Sequence, residues 1–233
     1  MSAREGEGVV MDHSTTAFIE PHTLTILCTY QCTAACKQCC FESSPKVLGR
    51  LSRQAIFDRI SEARREFPTL RLVVFSGGEA TILKQDLFDA IAHCTDLALL
   101  TRIVSNASWG KTSAAAGRTA KALSDAGLRE LNISTGKDHQ EWVPAESVIK
   151  AAEAAVDQGI HTLITVEVDD EQASRLIAIS RDERIKRMLK TKRLVASVFM
   201  AHPRACCRIA PGIARPCSSR RSVQAASRKC ARA

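Results

Sequence analysis

No stretch of this 233-residue sequence approaches the roughly 18 consecutive apolar residues that a membrane-spanning helix needs. Its first residues, MSAREGEGVVMDHSTT, lack the apolar stretch of a signal peptide. A membrane partner is therefore not expected, and the expected location is the cytoplasm. Acidic side chains are missing altogether after Met200, where eight Lys and Arg fall. The whole chain has 33 basic and 25 acidic residues, so residues 1–200 hold 25 of each. The net charge of +8 belongs to the end of the chain. The body lacks the basic stripe of a nucleic-acid enzyme, and no nucleic-acid partner is expected. Wholesale disorder is excluded as well, because 45% hydrophobic and 25% charged residues suffice for a sizeable core.

Cysteine, by contrast, is abundant. Of the ten, Cys28, Cys32, Cys36, Cys39 and Cys40 crowd together, Cys94 stands apart, and Cys206, Cys207, Cys217 and Cys230 lie in the basic tail. A disulfide scaffold spreads its cysteines through a short secreted chain. Crowding of this kind in a chain without an export signal points to metal or cluster ligands.

Between residues 22 and 200 the pattern alternates. Strands are expected at 22–29, 70–75, 99–104, 130–134, 162–168 and 193–200. Helices are expected at 51–67, 84–94, 113–126, 145–158 and 171–189, from apolar spacings such as Ile56, Phe57, Ile60 and Ala63. Strands alternating with helices imply parallel βαβ units with right-handed crossovers. The fold class is α/β, and six units suit an open doubly wound sheet or a partial (β/α)6 TIM-like barrel. Both gather ligands at the C-terminal ends of the strands. There lie the cysteines after the first strand, SGGE (76–79) after the second, SNAS (105–108) after the third and STGKDH (134–139) after the fourth. Three regions follow: an N-terminal extension (1–21), a core (22–200) and a basic Cys/Arg/Ala/Ser-rich tail (201–233). The tail reads as a disordered segment for an acidic partner or, as its composition favours, a changed reading frame or other non-native terminus.

Within the cysteine loop, Cys32-x3-Cys36-x2-Cys39 can ligate three irons of a cubane and leave the fourth open. A zinc site is the alternative, and would need a fourth ligand such as Cys28 or Cys40. Two glycines in Ser76-Gly77-Gly78-Glu79 let the backbone approach a ligand closely, and Glu79 with the strand-end carbonyls offers acceptors to an ammonium group. Read alone, the pair would merely make a strand-to-helix turn.

CxxxCxxC after the first strand, with GGE ending the second, resembles the radical S-adenosylmethionine (radical SAM) superfamily. The resemblance spans residues 22–200 and implies a partial barrel. It implies that Cys32, Cys36 and Cys39 hold a [4Fe–4S] cluster whose open iron binds S-adenosylmethionine. Reductive cleavage would then free a 5′-deoxyadenosyl radical that abstracts hydrogen from a peptide or small-molecule substrate. It also implies a flavodoxin- or ferredoxin-like reductant. Gly77, Gly78, Glu79, Asn106 and Ser134 become the expected cofactor contacts, and Gly78→Val should spare the cluster while weakening cofactor binding. Two positions depart from the family: Gln38 stands where an aromatic often precedes the third cysteine, and Ala80 where proline often follows GGE. A non-catalytic iron–sulfur or zinc module, including an inactive truncated homologue, is the alternative function.

Other residues have open roles. Cys28 is surplus, and Cys40 is expected to point away from the cluster into packing. Lys137, Asp138 and His139 face either substrate or solvent, and Glu167 on the fifth strand is a further candidate for reaching the cofactor. Trp109 and Trp142 line a pocket or cover the barrel, whereas His93 and Cys94 are expected to be structural.

Overall fold

The computed structural model describes residues 20–168 and 179–200. Strand β1 (Thr23–Thr29) enters the cysteine loop, and helix α1 (Arg53–Glu66) follows. Ser52 starts α1 by accepting the Ala55 N–H at 3.1 Å, and Ile56 and Ile60 bury its inner face. Strand β2 (Leu72–Gly77) carries the buried Val73, Val74 and Phe75, a run covered on both faces. A 3-10 turn (Ala80–Leu83) leads into α2 (Gln85–Asp96), then β3 (Leu100–Ser105), a second 3-10 turn (Ser108–Gly110) and α3 (Ser113–Asp125). Strand β4 (Glu130–Gly136) runs directly into the four-residue helix α4 (Lys137–Gln140). Next come α5 (Ala145–Asp157), β5 (His161–Val168), α6 (Glu183–Lys190) and β6 (Leu194–Met200).

The six strands pair in chain order, and every pairing is parallel. The sheet is not closed: β1 lies at one edge and β6 at the other. Each strand-to-strand path passes over a helix, so all C-terminal strand ends share one rim. Beneath the rim is a continuous core that includes Phe75, Ile103, Leu131, Ile133 and Ile164. The α1–α2 seam is held by Phe57 and His93, stacked at 4.4 Å between ring centroids, with Ser61 Oγ 2.9 Å from His93 Nε2. Cys94 is fully buried beside them, so both residues serve packing as expected.

Every expected strand is present, with ends shifted by one or two residues. Within STGKDH, for which no helix is expected, Lys137–Gln140 closes one helical turn. The expected helix 171–189 is described only from residue 179. The tail and the first 19 residues lie outside the described residues. Among the described residues no helix is long and apolar enough to cross a membrane.

Candidate functional site

The cysteine loop is fixed by backbone hydrogen bonds at both ends. Tyr30 N–H donates to the Gly49 carbonyl (3.2 Å), Leu51 N–H to that of Cys28 (2.9 Å), and Cys32 N–H to that of Ser44 (3.1 Å). Between them, Cys39 N–H donates to the Cys36 carbonyl at 3.2 Å. That turn explains the two-residue spacing, because it brings Cys36 and Cys39 to the same side. Cys32, Cys36 and Cys39 are free, half-buried thiols lining one cavity of about 450 Å³. Burial raises the Cys32 thiol and pushes Cys36 up to about 12, with Glu167 adding to the latter. Such thiols give up their protons when a metal cation is bound.

Cys28 behaves differently. It is fully buried in the core, and burial pushes its thiol up to about 12. Cys40 corrects an expectation: its side chain is exposed and lines the cavity instead of turning into packing. Residue 40 lies within the second of two consecutive turns, closed by Cys39 N–H on the Cys36 carbonyl and Glu42 N–H on the Cys39 carbonyl, and a turn residue is not carried into the core as the next residue of a strand would be.

The backbone of Gly77 and Gly78 lies on the cavity wall. Both glycines are demanded by the protein itself. A Cβ on Gly77 would collide with the Thr29 carbonyl, and one on Gly78 with the Gln31 carbonyl. The same approach lets Gly78 N–H donate to Thr29 (2.7 Å) and Glu79 N–H to Gln31 (3.0 Å). The end of β2 is thus joined, backbone to backbone, to the start of the cysteine loop.

The Glu79 carboxylate is fully buried and committed to protein donors, not open to an ammonium group as the sequence suggested. Its Oε1 accepts from Thr81 N (3.1 Å), Thr81 Oγ1 (2.6 Å) and Ser105 Oγ (3.0 Å), and its Oε2 from Asn106 N (2.8 Å). Burial raises its pKa, opposed by these hydrogen bonds. Glu79→Ala would leave the Thr81 and Asn106 amides without an acceptor. A loss of about 2–4 kcal/mol in chemical denaturation is expected. An unchanged midpoint would show that water replaces the carboxylate.

Asn106 and Ser134 both line the cavity. Asn106 also caps its own turn, since its Oδ1 accepts the Ser108 N–H at 3.0 Å. Trp109 donates its indole N–H to Ser105 Oγ (3.1 Å) and packs on the core, while Trp142 is largely exposed.

His139 and Glu167, whose roles the sequence left open, line the same cavity near Cys36. Glu167 Oε1 accepts the amide N–H groups of Asp138 (2.6 Å) and His139 (3.1 Å). His139 Nδ1 lies 3.1 Å from Glu167 Oε2, an ion-pair distance without hydrogen-bond alignment. Burial raises the Glu167 pKa, but the His139 ring and the two amides outweigh it and leave the carboxyl below its ordinary value. The backbone of the unforeseen helix α4 thus fastens a carboxylate beside the thiols.

No family model matches the chain. YydG, a Bacillus subtilis (strain 168) protein provisionally named for peptide biosynthesis, is 24% identical over 126 residues. That match takes 54% of this chain and 39% of YydG. Native anSMEcpe with bound AdoMet superposes with a TM-score of 0.52 at 15% identity, over 76% of this chain and 51% of that one. In motif order and in fold, the chain resembles the radical SAM superfamily. Its open six-stranded parallel sheet is the part of the fold that superposes on the anSMEcpe structure. BtrN in complex with AdoMet and 2-DOIA overlays more loosely, with a TM-score of 0.43 at 14% identity over 61% of this chain and 56% of that one. The chain spans about two fifths of YydG and half of anSMEcpe.

The residues present fit an iron–sulfur cluster better than a single ion. Among the described residues, no three His, Cys, Asp or Glu side chains converge closely enough for one metal ion. A cubane asks for something else, because its protein thiolates bind different irons and stand apart. Three thiols on one loop facing one cavity supply that donor set. The buried Ser43 Oγ lies on the same wall and has no partner among the described residues, as a site built around a bound group would leave it.

Proposed function

We propose that this chain is a radical SAM enzyme acting on a peptide. Cys32, Cys36 and Cys39 would hold a [4Fe–4S] cluster, and S-adenosylmethionine would fill the cavity beside it. The observation that carries this reading is the meeting of three loop thiols, the Gly77–Gly78 backbone and the β3–β5 strand ends on one cavity. The peptide is supported by the name of the Bacillus relative. When bound, cluster and cofactor together supply reductive cleavage to a 5′-deoxyadenosyl radical.

Each part of the chain has its task in that chemistry. The Cys36–Cys39 turn presents two thiolates and the 44–51 segment braces the loop that carries them. Gly77 and Gly78 bring main chain up to the cavity, while Asn106 and Ser134 offer polar contacts from the β3 and β4 ends. Glu167, held below its ordinary pKa, places a fixed negative charge on the cavity wall near Cys36, with the His139 ring against it. The electron would come from a flavodoxin- or ferredoxin-like protein in the cytoplasm.

The test is anaerobic reconstitution of the full chain. A brown protein with about four irons and absorption near ~400 nm is expected. Reduction in the presence of S-adenosylmethionine should release 5′-deoxyadenosine, read by chromatography. A colourless, zinc-loaded protein that leaves the cofactor intact would overturn the reading.

A further inference from the structure

We propose that Asn106 is a positioning residue for the cluster, aiming a side-chain N–H at the Cys32 sulfur and thereby raising the cluster's reduction potential. This rests on the reading that Cys32 is a cluster ligand. Asn106 Nδ2 lies 3.5 Å from Cys32 Sγ, across 74 residues of sequence. Amide orientation is settled by the other end of the side chain. Oδ1 accepts the Ser108 N–H at 3.0 Å, which only an oxygen can do, so the nitrogen faces the sulfur. Thr33 Oγ1 accepts the second Nδ2 hydrogen at 3.0 Å.

The backbone of Asn106 is held as firmly as its side chain. Its N–H donates to Glu79 Oε2 at 2.8 Å, and Ser105 Oγ donates to both carboxylate oxygens at 3.0 and 3.2 Å. Asn106 is buried, so water does not compete for these bonds. The buried carboxylate of GGE therefore reaches the cysteine loop through Asn106, in a line from Glu79 through the 106 amide to the sulfur. Cys32 receives a second donor from its own loop, the Ala34 N–H at 3.4 Å. Donors to a ligating sulfur draw electron density away from the irons and favour the reduced, more negative cluster. Losing one makes the cluster harder to reduce.

The experiment is an EPR-monitored redox titration of the reconstituted full chain without S-adenosylmethionine, which reads the cluster directly and not turnover. Asn106→Ala should shift the midpoint to a more negative potential. Asn106→Asp keeps an acceptor for Ser108 and nearly the same volume, replaces the donor by an acceptor, and should shift it further the same way. Thr33→Val removes the neighbouring bond but leaves the N–H on the sulfur, and should titrate with the wild type. If Asn106→Ala fails to assemble a cluster, the Asp and Val variants still decide the matter. Wild-type midpoints in the Asn106 variants would overturn the inference, as would an equal shift in Thr33→Val, which would assign the effect to loop packing. A wild-type chain that takes up no cluster would instead bring down the function proposed above.

Discussion

Gly78→Val is expected to yield a protein that loads almost no iron and unfolds well below the wild type. The sequence alone led to a milder outcome, an intact cluster with weakened cofactor binding. What changes the expectation is the direction of the missing side chain. A Cβ at residue 78 would meet the Gln31 carbonyl next to Cys32, where β2 and the cysteine loop share backbone hydrogen bonds. A branched side chain there displaces main chain, and over-packing of this kind costs about 1–3 kcal/mol even where side chains can yield. The displaced segment is the one that sets Cys32 in place. Iron content and thermal unfolding, measured together, check the expectation. Full iron loading with weakened S-adenosylmethionine binding by calorimetry would return the glycine to the cofactor.

The second large effect belongs to the cysteines. Alanine at Cys32, Cys36 or Cys39 should abolish the ~400-nm absorption or leave a cluster that decays within the preparation, because a three-thiolate site has no spare ligand. Cys28→Ala should keep the absorption, since the Cys28 thiol is fully buried and bonded to the Ile26 carbonyl at 3.6 Å. Its cost should be limited to a small core cavity, on the order of 1 kcal/mol. Cys40→Ala should also retain the cluster. Cys40 does lie on the cavity, so full loading of Cys36→Ala together with loss in Cys40→Ala would exchange their roles.

The architecture was legible because its signals are local. Leu72–Phe75 is a continuous apolar run, and such a run must be covered on both faces, which in a βα alternation means a central parallel strand. The apolar spacing of Ile56, Phe57, Ile60 and Ala63 marked α1 in the same local way. The rim was legible for the same reason: residues just after strands share one end of a parallel sheet. What each rim residue does there was not. Whether Glu79 faces a ligand or the protein depends on Thr81, Ser105 and Asn106, brought round it by the fold. The requirement for Gly77 and Gly78 arises from carbonyls nearly fifty residues away. Glu167 stood out only as a strand-end carboxylate, and its role stayed open because its partners are the amides of α4, a single helical turn without apolar periodicity. Cys40 was misread because adjacency to Cys39 says nothing about which way a turn exits.

The backbone joint between residues 29–31 and 77–79 also bears on portability. A short peptide maquette copied from residues 28–41 would carry all the thiols, yet it would lack the glycine pair against which Thr29 and Gln31 rest and the amide that faces Cys32. Grafting the GGE turn alone onto another parallel sheet would fail in the mirror sense, for its glycines would border on nothing. The smallest transferable unit runs from β1 through the turn that follows β3, three strands and their two crossovers. Within that stretch, cluster loop, glycine wall and aiming residue are a single component, and any exchange with a relative has to move them together.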